Sequence, residues 1–291
     1  MSNTLKWTNP NISFDEVQIY RSEVKPTANE IPTNKVATIT DGATTWTDDT
    51  AALNKYYWYW VAVKIGTEIV YGYPTMAINM PYTGPGPQEL LTGDWSRGYF
   101  GSVTSTDFLT NQELVSWLGI GSLYNITHAW HKFILNGKIL FYPERYVASN
   151  LSWNTLYSAG VMYGVDGNGP ATGHGLTPVN QKRVITKGEH SFIVRLPRCQ
   201  NTPDYSYAAR QVFDSEWYLT LGSAFGVFNP APALDLAEIS PVPFPAGFAP
   251  FVEFNVVGPA YLSVTTPATP SSGSTRTTNG LWRPVLELVL L

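Results

Sequence analysis

Cysteine is almost absent from this chain: Cys199 is the single one in 291 residues. One thiol excludes an intrachain disulfide, and with it the disulfide-stapled secreted scaffolds. Charge is scarce as well. Charged residues make up 14% of the chain, against roughly 25% in an ordinary soluble domain. The net charge of −4 leaves no basic footprint, so nucleic acid is not an expected partner. No apolar run reaches the roughly 18 residues of a membrane-crossing helix, so no membrane span is expected. The opening MSNTLKWTNP lacks an apolar core, which predicts no secretory leader and synthesis in a reducing cytoplasm.

What the chain does hold is apolar and aromatic. Hydrophobic residues are 44% and aromatics 14%, with ten tryptophans. A surface so poor in charge and so rich in rings is expected to meet other protein rather than bulk water. The length implies two domains. Composition places a domain over 1–82, a linker over 83–93 (TGPGPQELLTG, with Pro85 and Pro87 as stiffeners) and a larger domain over 94–291.

The larger part is organised around residues 130–164. Asn136-Gly137 stands between two apolar runs, and Asn-Gly is the strongest two-residue hairpin signal because both central positions need a positive φ. The pattern predicts antiparallel strands over 130–135 and 138–142, ended by Pro143. Ser149 or Ser152 is placed to cap a short helix beginning near Trp153. A better helix candidate is Asp107–Leu118, capped by Thr110 or Asn111 and ended by Gly119. A second hairpin is expected about Lys187-Gly188-Glu189, and a short helix over Asp214–Leu221 capped by Asp214 or Ser215. Residues 222–250, with Phe225, Phe228, Phe244 and Phe248, read as a long irregular loop. Residues 251–256 and 260–265 read as strands, 266–280 as an exposed polar loop, and the apolar end LWRPVLELVLL as a strand buried in a sheet.

The first 80 residues read as all-β, with short strands separated by turn clusters. Trp7, the run Val17–Ser22, Thr45–Asp48, Leu53 and the alternation Tyr57, Tyr59, Val61, Val63 resemble a fibronectin type III domain. That resemblance implies a spacer or docking module and gives Tyr57 the role of the tyrosine corner. It also turns Trp58 and Trp60 away from the sandwich core. Leaving two such rings wet is costly, roughly 1.5–3 kcal/mol each, so both are expected to contact the second domain or a neighbouring subunit.

In the larger part, Trp130-x-Lys132-Phe133, Asn136-Gly137-Lys138, Ser152-Trp153-Asn154, Tyr163-Gly164, Ser215-Glu216-Trp217 and the closing Trp282-Arg283-Pro284-Val285-Leu286 resemble a set found in virion proteins of tailed bacteriophages. The ending is also similar to that of formylglycine-generating enzymes and C-type-lectin-like folds, where a terminal strand closes the sheet. The expected architecture is mainly β with minor α: a β-sandwich followed by an α+β domain, lectin-like in one reading. Trp130, Trp153 and Trp217 are expected to be structural, and Trp282 to join Trp58 and Trp60 at an interface.

No chemistry stands out. His128 and His131 have an HxxH spacing, but residues three apart on a strand face opposite ways and do not converge on one metal. Asp166-Gly167-Asn168-Gly169 begins like a calcium loop but lacks the later acidic ligands. Cys199 has no second cysteine, so the oxidase chemistry of formylglycine-generating enzymes is not implied; a cysteine-protease pairing with His190 is opposed by the simpler reading of a buried inert thiol. Glu216, Asp235 and Glu238 are available carboxylates, but nothing in the sequence selects a glycosidase pair. The expectation is therefore a non-enzymatic virion component without cofactors, present as a homo-oligomer or in multiple copies and packed on other virion subunits. The alternative is a receptor-binding protein that grips host-surface glycan through its C-terminal domain.

Overall fold

The structure is a computed structural model. It describes residues 3–11, 13–27, 30–169, 175–199, 215–222, 249–254, 259–263, 266–272 and 275–290. It is mainly β, with antiparallel sheets and few helices. The chain divides into two compact units, Met1–Thr83 with Asp94–Ser96 and Leu290–Leu291, and Gly84–Gly93 with Arg97–Val289.

The first unit holds β1 (Asn3–Lys6), β2 (Glu16–Ser22), β3 (Lys35–Ile39), β4 (Thr45–Asp48), β5 (Tyr56–Ile65), β6 (Glu68–Tyr71) and β7 (Thr75–Ile78). β1 and β4 pair as a two-stranded sheet; β3, β2, β5 and β6 form the other in that order, with β7 also on β5. Alternation along β5 decides which residues face the core. Tyr57 and Tyr59 are buried with Leu5, Val17, Ile19 and Ile39. On the opposite face Trp60 and Ala62 are buried with Tyr20, and Trp58, Ile69 and Tyr71 pack against them. Tyr57 Oη accepts from Ala52 N–H at 3.2 Å, tying the strand to the chain just before it. Asp48 joins four strands: it accepts from Tyr59 Oη at 2.8 Å and Arg21 Nη1 at 2.7 Å, while Tyr59 Oη accepts from Asn3 Nδ2.

In the second unit the chain runs through β8 (Thr92–Gly93), β9 (Arg97–Thr104), α1 (Asn111–Leu118), β10 (Ser122–Leu123), β11 (Ala129–Leu135), β12 (Lys138–Pro143), β13 (Ala148–Leu151), α2 (Trp153–Ser158), β14 (Val184–Lys187), β15 (His190–Arg195), β16 (Ala249–Phe254), β17 (Pro259–Ser263), β18 (Thr266–Ser272), β19 (Gly280–Trp282) and β20 (Val285–Leu288). Seven strands make one antiparallel sheet, in the order β14-β15-β20-β12-β11-β9-β8. The last strand in sequence therefore lies inside the sheet, and Val285, Leu286 and Leu288 are buried there. Two three-stranded sheets, β10-β13-β19 and β16-β17-β18, complete the unit.

The hairpin at Asn136-Gly137 forms with φ of 48° and 77° and closes on Leu135 opposite Lys138. Thr110 and Glu113 make the reciprocal capping box of α1, and Gly119 ends it at φ 78°; the helix begins at Asn111, later than the sequence pattern placed it. Ser152 caps α2 by accepting from Thr155 N–H. The second hairpin turns at Gly188. Near Glu216 a helical turn capped by Ser215 runs into a π-type turn that kinks at Thr220.

Two expectations are corrected. Residues 266–272 are not loop but β18, paired with β17. The stretch reads as polar loop, yet among the described residues β18 is an edge strand, where the missing N–H of Pro267 and Pro270 need not cost a ladder bond. Residues 84–93 are not a free linker but part of the second unit. Lys132 Nζ donates to Pro87 O at 2.6 Å and Gly84 O at 3.3 Å, and Gln88 donates to Gly84 O and Gly86 O. Gly84 and Gly86, both at positive φ, approach Leu288 and Val103 so closely that a Cβ would sit 3.1 and 3.0 Å from them. The proposed loop 222–250 falls outside the described residues over 223–248, as do Asp214, Asp235 and Glu238.

Gly160 tests the packing after α2. At φ +73° its missing Cβ would lie 2.6 Å from Asn180 O, a backbone atom that cannot swing away, whereas Gly188 at φ +59° meets nothing within 4 Å. Gly188→Ala is expected to cost about 1–2 kcal/mol from the left-handed backbone alone, and Gly160→Ala about 3 kcal/mol or more because a clash is added. Urea unfolding of the two variants measures the difference.

Candidate functional site

The tryptophans divide sharply by exposure. Trp130, Trp153, Trp217 and Trp282 are 0–1% exposed. Trp130 Nε1 donates to Leu109 O at 2.8 Å, and its ring meets Phe108 edge-on. Trp153 stacks on Tyr157. Trp217 lies in the core with Tyr142 and beneath the Arg283 guanidinium. Trp130, Trp153 and Trp217 are thus core residues. Trp282 is a core residue too, not an interface residue. It sits on β19 opposite Ala148, and the strand ladder that carries it turns its ring inward. Trp60 is also buried, so of Trp58, Trp60 and Trp282 only Trp58 keeps partial exposure.

Three ionisable side chains of the second unit, Arg195, Glu216 and Glu287, are largely buried and paired with one another. Arg195, 1% exposed, donates through both Nη atoms to the two Glu216 oxygens at 2.8 and 2.6 Å, and through Nε to Glu287 at 3.0 Å. Lys138 reaches Glu287 at 2.8 Å. Burial opposes charge on both carboxyls, but Arg195 outweighs it and holds Glu216 and Glu287 below the usual carboxylate range. A glycosidase needs one carboxyl pushed up to serve as the acid. These two are both held down on one guanidinium, which joins β15, β20 and the turn at Glu216.

His128 and His131 go to different partners: His128 Nε2 lies 2.6 Å from Asn111 Oδ1, and His131 Nδ1 lies 3.1 Å from Tyr99 Oη. Burial, with Arg283 and His128 nearby, lowers His131 to about 4; burial also lowers His128. Burial against Phe100 and Phe141 brings the Lys132 ammonium down to about 7. Asp166 accepts from Asn180 Nδ2 and joins two loop segments. Cys199 is buried among Tyr99, Phe133 and Trp217. Among the described residues no three His, Cys, Asp or Glu side chains form a metal-holding group.

The surface offers a different kind of site. In the first unit a groove of about 380 Å³ runs between residues 7–11 and the β5–β6 hairpin, lined by Trp7, Asn9, Val61, Val63, Val70 and Tyr71 with their neighbours. Its lining residues carry no charge. Trp7 Nε1 and Asn9 Nδ2 are shielded from solvent there without a hydrogen-bond partner. Around it Ile65, Val70 and Tyr73 stand 48%, 59% and 96% exposed. Of the eleven large apolar side chains exposed among the described residues, eight lie between Val24 and Tyr82 and three in the second unit. Sequence patterning pointed to the tryptophans; the exposed set is instead Val, Ile, Leu and Tyr, on strand edges and turns that only the pairing order identifies. No protein-family model, no curated protein and no solved structure matches the chain.

Two measurements probe the buried charges. The unfolded value of His131 is near 6.5, above its folded value of about 4. The unfolded chain therefore takes up the proton first as the pH falls. Stability is expected to drop by about 1.4 kcal/mol per pH unit for this group between about 6.5 and 4, and His131→Gln flattens that slope in urea midpoints read at pH 7, 6 and 5. Arg195→Met leaves the largely buried Glu216 without its guanidinium and Glu287 with Lys138 alone, and is expected to cost about 3–5 kcal/mol; replacing Glu216 and Glu287 by Leu alongside it recovers most of the loss.

Proposed function

We propose that the chain is a non-enzymatic structural subunit of a tailed-bacteriophage particle, working by protein–protein packing. In this reading the first unit is a fibronectin type III-like module and the second a virion-type domain. The observation that carries it is the crowding of exposed apolar side chains, among the described residues, onto the smaller unit, eight of eleven. Apolar exposure concentrated in this way is characteristic of surfaces that bind protein, and a chain only 14% charged has little else to keep it apart from its neighbours. The Tyr57 hydroxyl, bonded to the backbone five residues upstream, supports the fibronectin-like resemblance because sandwiches of this type use a tyrosine in that way. The paired state of Glu216 and Glu287 supports a structural rather than a hydrolytic role. The glycan-gripping alternative is weaker, since Trp130, Trp153, Trp217 and Trp282 are buried and offer no stacking face.

Purified particles are the test. Antibody labelling and quantitative mass spectrometry are expected to find the chain in intact virions at a fixed copy number per particle. Its absence from particles, or release of reducing sugar from bacterial glycan by the isolated chain, overturns the reading.

A further inference from the structure

The five-stranded sheet of the first unit has two unlike edges. The β3 edge begins with Lys35, and its register slips between Ile19 and Tyr20; a charge and an irregularity of this kind are the usual guards of a sheet edge. The β6 edge has no such irregularity, and its one charge, Glu68, stands at its first residue. Residues 68–72 read Glu-Ile-Val-Tyr-Gly with no lysine or proline, and β6 pairs with β5 in unbroken register. Gly72 N–H donates to Val61 O at 2.9 Å. By the antiparallel alternation, the backbone groups of Ile69 and Tyr71 therefore point away from β5, where β6 has no further strand among the described residues.

We infer that β6 pairs antiparallel with β6 of a second copy of this chain, about a two-fold axis through Val70. The register follows from keeping the two sheets continuous and face to face: Val70 lies opposite the partner's Val70, Ile69 opposite the partner's Tyr71, and Glu68 opposite the partner's Gly72. Ile69 and Tyr71 then meet as hydrogen-bonded pairs, which uses the four outward backbone groups on each side. No like charges face each other, because Glu68 is the only charge in the strand and meets glycine. On the groove side, Ile39 lies opposite Val17, Val17 opposite Val63 and Val63 opposite Val70. Pairing at Val70 carries this apolar row across the axis and covers a side chain that is 59% exposed in the single chain. Such a patch, complementary to itself, is what a two-fold interface requires. The inference rests on the packing role proposed above, yet the two fail separately: this one by self-association of the isolated chain, that one by presence in particles.

Analytical ultracentrifugation of the full chain is expected to give twice the chain mass, and Val70→Lys, which sets two ammonium groups against each other on the axis, to return it to once. A second variant guards against misfolding. Val70→Cys places two thiols opposite each other at a close, non-hydrogen-bonded pair, about 4.5–5.5 Å between Cβ atoms. Under mild oxidation it is expected to run as a covalent dimer, while Ile69→Cys, which faces Tyr71, and the parent chain with its buried Cys199 do not. A chain that stays at single mass throughout, a dimer that survives Val70→Lys in folded protein, or a Val70→Cys variant that does not cross-link overturns the inference.

Discussion

The larger unit depends on one guanidinium. Arg195 lies at the end of β15, nearly without solvent, and holds Glu216 from the turn that follows it and Glu287 from β20. Three segments that are far apart in sequence are joined through a single side chain. Burying any one of these charges alone carries a penalty of several kcal/mol, and the arrangement stands only because each has its partner in good geometry. The clasp also fixes where Trp217 goes. Once Glu216 is bound to Arg195, the next residue enters the core between Tyr142 and Arg283.

The smaller unit uses a related device on a smaller scale. Asp48 gathers Arg21 and Tyr59, and through Tyr59 it reaches Asn3, so the two sheets are held by hydrogen bonds at one end. Elsewhere the sheets are unequal. Two strands oppose five, so the narrower layer leaves Val61, Val63 and Val70 lining an uncharged groove. Val70, on the β6 edge, is exposed beside that groove.

Local signals in the sequence were legible wherever backbone sterics decided the outcome. The hairpin at Asn136-Gly137, the capping box of Thr110 and Glu113, the Ser152 cap and the turn at Gly188 are all written in two to four adjacent residues, because a positive φ or an unpaired helix N–H admits few side chains. The period-2 alternation of Tyr57, Tyr59, Val61 and Val63 marked the inner face of β5, as its packing with Leu5, Val17 and Ile19 bears out. The candidate site was much less legible. Trp282 reads as an exposed ring near an apolar terminus, yet it is buried, because β19 lies in a sheet with β13, about 130 residues upstream. Residues 266–280 read as an exposed polar loop, yet 266–272 form a strand; a proline's cost in a strand depends on whether a neighbour lies on its N–H side, which local sequence does not record.

By itself, then, the sequence determined the turns, the caps, the inward alternation of single strands and the poverty of charge. Each of these is settled by one residue's own φ, hydrogen-bonding groups or burial preference. Only the tertiary structure decided which tryptophans are core, that residues 84–93 are fastened by Lys132, that Glu216 and Glu287 share Arg195, and that β6 is an open edge. Those are facts about strand order and long-range pairing, and they come from packing between residues that carry no mark of each other in the chain.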